Sequence, residues 1–474
     1  MERVEIAPDG WTFRGAKSGA PFVPFGTNYT AAWAGWPPDY LGEAWDERRL
    51  RADLDAMRAL GVNTLKFVAP LGLILPDPQQ PGAVRLDERT VRRLARAVEL
   101  AGERGIRLIV CVHPGWRSLP QWFYRGGGFF GEESLAILEE MWRELARRFA
   151  GDGRILAYSF CVETALGGWR APQALALFGR WAVARYGSLE RANAAWGTQF
   201  ARVEDIVPPG EDGNNSANWR ELREGTPGNE NKTNDPFLYD YLLFREWAAF
   251  RFVFRQSRAV KAADPGALTT MGFVQWNPIL RQLWKPVWEG PARGPEYNVR
   301  EIARALDFVG IHFYPVYPPG DEEKQLRYLQ IWARWADVGK PVVLEEFNRR
   351  PREANARWCE RVVRETRGFV SGWLVWAFQD VPEGDAITRV CGLLDAQGRR
   401  TPWGERFAAL APEVRRWRLQ RPQPRRVVRV DKRWLYTSSD YRALLDGLLE
   451  GDPLVRFELE PNPAIDALLA GEEL

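Results

Sequence analysis

Histidine and cysteine are scarce in this sequence, and their scarcity argues against two kinds of site. The chain has 474 residues but only two histidines, His113 and His312, whereas a catalytic zinc site groups several histidines with carboxylates. The four cysteines are Cys111, Cys161, Cys359 and Cys391. They are far apart and form no C-x-x-C pair, so we expect neither a bound metal nor a disulfide framework.

Long apolar runs and an excess of charge of one sign are also missing. No stretch reaches the roughly 18 apolar residues of a membrane-spanning helix, and residues 1–10 lack an apolar signal core. With 65 basic and 62 acidic residues, no global field favours nucleic acid or an anionic membrane. We expect a cytoplasmic protein without nucleic-acid or membrane partners. The scarcity of lysine and methionine is a hint of a thermophilic source.

The sequence motifs of nucleotide-binding proteins and of serine hydrolases do not indicate a function for this chain. Residues 126–131 satisfy G-x-G-x-x-G, but residues 116–125 separate them from the preceding predicted strand. A dinucleotide site needs its glycines in the strand-to-helix turn itself. Neither G-x-x-x-x-G-K-[ST] nor G-x-S-x-G occurs. We therefore interpret the glycine-rich segment as a loop.

Apolar, β-rich runs alternate with amphipathic helical stretches, which is typical of repeated βαβ units. The predicted strands are residues 21–28, 62–68, 106–113, 155–163, 268–276, 308–314, 341–346 and 372–378. Eight such units predict an α/β fold, a (β/α)8 TIM barrel over residues 1–411. We expect residues 164–234 to form a long insertion after strand 4 at the active-site face. Residues 412–474 are expected to form a small C-terminal appendage of unknown role.

Two of the predicted strands end in a carboxylate, Glu163 in one and Glu346 in the other. In a (β/α)8 barrel the C-terminal ends of all strands meet at one face, so two residues far apart in sequence can face each other there. A facing pair of carboxylates is the minimal equipment for cleaving a glycosidic bond. Both histidines also fall at predicted strand ends, which places them at the same face.

Taken in chain order, the strand ends resemble those of clan A glycoside hydrolases, most of all family 5, the cellulase and mannanase family. The resemblance covers residues 21–411. It rests on Gly26-Thr27-Asn28, Gly61-Val62-Asn63-Thr64-Leu65-Lys66, His113, Glu163, His312-Phe313-Tyr314, Leu344-Glu345-Glu346-Phe347 and Gly372-Trp373-Leu374-Val375-Trp376. Residues 185–200, followed by two prolines at 208–209, resemble an insertion of family 42 β-galactosidases.

This resemblance implies a retaining β-glycoside hydrolase that needs no cofactor and takes an oligosaccharide as its substrate. It implies that Glu163 is the acid/base and Glu346 the nucleophile of a double displacement. Glu345 is the rival nucleophile, but strand alternation points it away from Glu346. The residues implied to bind substrate or orient the carboxylates are Asn28, Lys66, His113, His312, Tyr314 and Trp376.

Two positions depart from the family pattern. Val162 stands where family members have an Asn that binds the sugar 2-hydroxyl, and Gln275 or Asn277 could replace its amide. Lys66 stands where family members have Arg. Lysine keeps the positive charge but cannot donate the two parallel hydrogen bonds of a guanidinium. A barrel that binds sugar without cleaving it therefore stays open as an alternative. The sequence leaves open which sugar is bound, whether action is endo or exo, and the oligomeric state.

Tryptophan is abundant, with 23 residues, and the predicted elements divide these residues into two groups. Four lie on predicted helices and are interpreted as core: Trp142, Trp181, Trp247 and Trp332. Seven lie in or beside the predicted face loops and strand ends: Trp33, Trp36, Trp116, Trp122, Trp169, Trp276 and Trp376. A flat aromatic face there could stack on a sugar ring.

Overall fold

A computed structural model describes residues 1–114, 119–163, 166–208, 236–275, 298–315, 321–437 and 442–472. Its centre is a closed barrel of eight parallel strands, which confirms the predicted fold. In chain order the barrel strands are Phe25–Asn28, Thr64–Pro70, Arg107–His113, Ile155–Val162, Thr269–Phe273, Val309–Phe313, Val342–Phe347 and Gly372–Val375. They are called barrel strands 1 to 8 below.

Helices surround the barrel and connect its strands. Those of one turn or more are Glu47–Leu60, Leu71–Ile74, Glu88–Gly102, Gln121–Arg125, Glu132–Arg148, Pro172–Tyr186, Leu189–Trp196, Pro236–Ala263, Val299–Ile302, Glu322–Ala336, Arg352–Glu365, Pro402–Val414, Lys432–Thr437, Arg442–Glu450 and Pro463–Leu469. Local sequence sets their ends. Asp46 and Asp87 accept hydrogen bonds from backbone N–H groups at the start of two helices. Gly61 ends the first of these in a left-handed conformation.

The first barrel strand is shorter than predicted, because residues 21–28 divide between two sheets. Pro21–Phe22 pairs with Phe13–Gly15, which pairs in turn with Val4–Ile6, in a small antiparallel sheet. Val4 and Phe13 pack against Ile109, Leu156 and other residues near the starts of the barrel strands. This sheet thus covers the end of the barrel opposite the strand ends that carry the carboxylates.

The long connection after barrel strand 4 begins with two helices, Pro172–Tyr186 and Leu189–Trp196. Both pack on the long helix Pro236–Ala263. Asp240 on that helix is 2% exposed and accepts hydrogen bonds from Tyr186 and from Trp196 Nε1, which ties the insertion to the barrel. Residues 209–235, which include most of the predicted polar stretch, lie outside the described residues.

The C-terminal part contains a two-stranded parallel sheet, Arg426–Val430 with Val455–Leu459. A buried lysine, Lys432, contacts Glu246 over 3.0 Å and Glu301 over 2.9 Å, which joins this part to the barrel helices. Helix Pro402–Val414 runs across the boundary expected at residue 412, and the division into barrel and appendage stays a prediction.

Two expectations about composition can be compared with the structure directly. All four cysteines are buried and free. Within the described ranges, no helix combines the length and the apolar character that crossing a bilayer requires.

Candidate active site

The two carboxylates predicted at strand ends lie at the C-terminal ends of barrel strands 4 and 7. In each strand the register shifts shortly before the carboxylate, between Ser159 and Val162 in one and between Leu344 and Glu346 in the other. Such irregularities bend a strand locally and re-aim the side chains that follow. Both acids therefore leave the regular pleat at the point where they turn towards the centre of the barrel.

Glu163 has an unusual backbone. It is the one non-glycine residue with positive φ among those described, at 48°, a left-handed conformation that is uncommon for a glutamate and often marks a functional position. Its N–H donates to the carbonyl oxygen of Gly272 over 3.1 Å. Its side chain is 32% exposed, and Oε1 lies 2.6 Å from Nδ1 of His312.

Glu346 is more enclosed, with a side chain that is 5% exposed. Tyr314 donates its hydroxyl hydrogen to Oε2 over 2.9 Å, and the ammonium of Lys66 lies 3.8 Å from Oε1. Burial raises the pKa of Glu346 to about 7, although His312, Lys66 and Tyr314 all act to lower it. The burial of Tyr314 and the nearby carboxylates raise the pKa of this tyrosine well above its usual value, so it stays a donor at neutral pH.

One ligand-type atom from each of Glu163, His312 and Glu346 lies within 4.8 Å of the other two. This grouping also has the donor types that bind a cation. However, His312 is hydrogen-bonded to Glu163, and Tyr314 to Glu346. Each carboxylate of the grouping thus has a hydrogen-bonding partner within the protein.

Glu345 does not point away from Glu346, and the expectation from strand alternation is wrong. Its Oε2 lies 2.8 Å from Nζ of Lys66 and 3.5 Å from Nε2 of His312, two residues that also contact Glu346. The cause is the register shift in barrel strand 7, because alternation fails across a bulge. Burial alone would raise the pKa of Glu345, but Lys66 and His312 lower it to about 2.

Glycines on neighbouring strands make room for Glu345 in the barrel interior. A Cβ atom added to Gly310 would lie 2.4 Å from Glu345 Oε2, and one added to Gly272 would lie 2.7 Å from it. The carboxylate and Lys66 are both 0% exposed. Burial alone would lower the pKa of Lys66, but Glu345 and Glu346 outweigh it and raise that pKa above its usual value.

His312 lies between these carboxylates and is fully buried. Nδ1 is 2.6 Å from Glu163 and 3.4 Å from Glu346, while Nε2 faces Glu345. Burial alone would lower the pKa of His312, but Glu346, Glu163 and Glu345 together raise it to about 9. This pKa favours the imidazolium form of the ring at neutral pH.

Three other predicted site residues bond to the protein backbone. Asn28 Nδ2 donates to the carbonyl oxygens of Glu345 and Val375 over 2.8 and 3.2 Å. Gln275 exchanges hydrogen bonds with the backbone N–H and carbonyl of Tyr314. His113 Nε2 donates to the carbonyl of Val162 over 2.9 Å. Burial and the charge of Lys66 lower the pKa of His113 to about 4. Their roles in substrate binding stay predictions.

Trp376 directly follows barrel strand 8, and its backbone N–H donates to the carbonyl of Phe347 over 3.3 Å. Its indole Nε1 donates to Thr388 Oγ1 over 3.0 Å, and the ring meets Trp36 edge-on at a centroid distance of 6.0 Å. Asn348, which sequence reasoning missed, donates to the carbonyls of Trp376 and Cys391. Its position two residues after Glu346 is the sequence feature that could have indicated it.

The exposure of the other tryptophan side chains agrees with the prediction for the core group but not for all of the face-loop group. The four assigned to the core are at most 2% exposed. Trp122 and Trp169, predicted beside the cleft, are also buried, at 1% and 3% exposed. Trp122 donates to the carbonyl of Leu75, and the guanidinium of Arg245 lies over the Trp169 ring. Trp33 and Trp36 are partly exposed. Trp116, Trp276 and Asn277 lie outside the described residues.

Val162 occupies an apolar setting, where its side chain packs in a small buried cluster with Val68 and Cys111. Its carbonyl accepts the hydrogen bond from His113. The position where the resembling family has a sugar-binding amide is therefore part of a hydrophobic contact between barrel strands in this chain.

The family model of glycosyl hydrolase family 42, described as beta-galactosidase, matches residues 134–378, more than half of the chain. A search of curated proteins gave no match. The matched residues include Glu163, His312 and Glu346, as well as the insertion after barrel strand 4.

Solved structures share the fold. The exo-beta-1,4-mannosidase Op5Man5 from Opitutaceae bacterium strain TAV5 is 20% identical, with a TM-score of 0.56 over 90% of this chain and 65% of its own. A beta-galactosidase from Halorubrum lacusprofundi is 17% identical, with a TM-score of 0.65 over 92% and 66%. A GH5_18 variant from Streptomyces cattleya, in complex with Manb1-4GlcNAc, is 19% identical, with a TM-score of 0.60 over 92% and 94%. The chain thus spans just under two thirds of the first two proteins.

We predict that Gly310→Ala lowers the free energy of unfolding by about 1–3 kcal/mol, because the added methyl group overlaps the carboxylate of Glu345 in a packed interior. Urea unfolding followed by tryptophan fluorescence measures the change. Gly167→Ala is the matched control, since nothing lies within 4 Å of its added Cβ. If both variants are as stable as the wild type, Glu345 does not occupy the space beside Gly310.

Proposed function

We propose a retaining β-glycosidase activity for this chain, which belongs to glycoside hydrolase family 42 and hence to the O-glycosyl hydrolases. The observation that carries the proposal is the close approach of the carboxyl groups of Glu163 and Glu346, with oxygens within 4.8 Å. Retaining enzymes hold the two groups about 5–5.5 Å apart, whereas inverting enzymes leave about 6.5–9.5 Å for a water molecule. The spacing favours direct attack by one carboxylate.

Charge balance supports a single proton on the pair at neutral pH. Lys66 and His312 contribute two positive charges, and Glu345 and an ionised Glu346 two negative ones, so a protonated Glu163 leaves the whole group neutral. If both Glu163 and Glu346 were protonated, the group would carry one extra positive charge. If neither were protonated, it would carry one extra negative charge. Either charge would lack a partner, which is costly inside a protein. Two acids this close share one proton and titrate as a pair.

The surroundings of the two acids support their assignment to different roles. Burial raises the pKa of Glu346 to about 7, but the hydroxyl of Tyr314 and the ammonium of Lys66 oppose that rise and favour the ionised form that a nucleophile needs. Glu163 is more exposed, and a bound sugar would cover it and favour its neutral form. With His312 donating to Oε1, the proton of Glu163 would reside on Oε2, from which it can pass to the leaving oxygen.

In the first step Glu346 attacks the anomeric carbon while Glu163 protonates the departing oxygen, which gives a covalent glycosyl-enzyme. In the second step Glu163 removes a proton from water, and the water oxygen displaces Glu346. We propose β-linked oligosaccharides as the substrate class. The neighbours named as a mannosidase and as galactosidases make β-mannosides and β-galactosides the first to test.

A panel of nitrophenyl β-galactoside, β-mannoside and β-glucoside tests the activity, with Glu163→Ala and Glu346→Ala as inactive controls. We expect turnover of at least one substrate, and proton NMR should show the β-anomer as the first product. First release of the α-anomer would contradict retention. Sugar binding in calorimetry, without turnover of any substrate, would favour the non-catalytic barrel.

Azide rescue should distinguish the two carboxylates. We expect Glu346→Ala to lower kcat by about 10³-fold or more, and azide to restore turnover with an α-glycosyl azide as product, because the anion fills the space of the lost carboxylate. For Glu163→Ala the product should be the β-azide, since azide then attacks the covalent intermediate. Mass spectrometry and NMR identify the products. An α-azide from Glu163→Ala would reverse the assignment.

The apolar setting of Val162 predicts weak recognition of the sugar 2-hydroxyl. We expect 2-deoxy substrates to lose less in kcat/KM here than in a relative with Asn at this position, because rejection is strong only where a buried polar group is left unpaired. Val162→Asn should lower the free energy of unfolding by about 1–3 kcal/mol, since Val68 and Cys111 offer the amide poor partners. A 2-deoxy penalty equal to the relative's would show that another side chain contacts the 2-hydroxyl.

A further inference from the structure

Glu345 is an ionised group with no part in the proposed chemistry, although it is held in place from several sides. Lys66 contacts its carboxylate over 2.8 Å, and Asn28 donates to its backbone carbonyl over 2.8 Å. Gly272 and Gly310 leave the space that the carboxylate fills. Burying a carboxylate is costly unless it is paired, so its position beneath the reactive pair calls for an explanation.

The ring of His312 links Glu345 to that pair. Nε2 lies 3.5 Å from Glu345, while Nδ1 lies 2.6 Å from Glu163 and 3.4 Å from Glu346. The charged or titratable groups that face the ring or its three carboxylate partners come from five strands of the barrel. They are Lys66 on barrel strand 2, Cys111 and His113 on strand 3, Glu163 after strand 4, Tyr314 after strand 6, and Glu345 and Glu346 on strand 7.

We propose that Glu345 is a positioning residue: its carboxylate, anchored by Lys66, holds His312 as an imidazolium whose Nδ1–H faces Glu163 and Glu346. The proposal rests on the proposed function, because it assigns the chemistry to those two acids. A neutral imidazole carries one hydrogen and can place it on either nitrogen. A carboxylate beside Nε2 favours a hydrogen there, so a hydrogen on Nδ1 as well requires the charged ring.

The scarcity of histidine makes a direct test possible. In protein labelled with ¹⁵N-histidine, NMR contains two imidazole rings, and His113→Gln assigns them. We expect His312 in the wild type to titrate near its pKa of about 9. In Glu345→Gln its pKa should fall by about one unit or more, because an opposite charge within about 4–6 Å is lost. An unchanged His312 titration in folded Glu345→Gln would overturn the proposal.

Kinetics on an active substrate provide a second readout. For Glu345→Gln we expect kcat to fall by about tenfold or more with little change in KM, because positioning acts on the transition state. The alkaline limb of kcat/KM should move to lower pH together with the titration of His312. If the alkaline limb stays in place while kcat falls, the role of Glu345 is merely structural.

Glu246→Gln is the matched control, since Glu246 is also 0% exposed and paired with a buried lysine, Lys432. Glu246→Gln should lower the free energy of unfolding but leave the pKa of His312 unchanged. If Glu246→Gln lowered the pKa of His312 as much as Glu345→Gln does, a specific role for Glu345 would be contradicted. If Glu345→Gln does not fold, Glu345→Asp is the second variant. Aspartate keeps the negative charge but is one methylene group shorter, so its carboxylate lies farther from His312. We then expect a smaller fall in the pKa of His312. A titration in Glu345→Asp identical to the wild type would then reject the proposal. NMR needs no turnover, so a failed activity screen leaves this test readable.

Discussion

The balance of charge inside the barrel is the constraint on which the site depends. Lys66, Glu345, His312 and Glu346 are each at most 5% exposed on their side chains, and their charges cancel when Glu346 is ionised. Removing one member of such a group leaves a buried charge without a partner, which typically costs about 3–5 kcal/mol. Pairing therefore holds these four side chains together at one end of the barrel, and Glu163, whose side chain is 32% exposed, joins the group through its contact with His312.

Barrel geometry brings these charged side chains together, and a register shift in one strand sets the direction in which two of them point. Parallel strands place Lys66, Glu163, His312 and Glu346 on one end of the barrel although they are far apart in sequence. Regular strands would send neighbouring side chains to opposite faces. The register shift before Glu346 instead brings Glu345 and Glu346 to the same lysine and histidine. A bulge in this strand thus makes a second carboxylate available inside the barrel.

Sequence patterns predicted the barrel because each strand is a short apolar run followed by an amphipathic helix, and both signals are local. They also predicted that Glu163, His312, Tyr314 and Glu346 lie at one face, because strand ends of a barrel share a face, and the structure brings these side chains into contact. The direction of Glu345 could not be predicted, because a bulge depends on pairing with the neighbouring strand. The antiparallel sheet formed by Val4–Ile6 and Phe13–Gly15 was missed for a similar reason: three-residue strands are too short to show a period.

In the proposed mechanism the same residue type would serve three purposes, and the three glutamates differ in their surroundings. Glu345 has a lysine at 2.8 Å and keeps a pKa of about 2, so it remains charged throughout the neutral range. Glu346 has that lysine at 3.8 Å, and burial outweighs its partners, which raises its pKa to about 7. Glu163 is the most exposed of the three, at 32%, and in the proposed mechanism a bound sugar would cover it. The proposed mechanism thus takes a permanent charge, a nucleophile and a proton donor from one kind of side chain, and the lysine lies nearest to the carboxylate that stays charged.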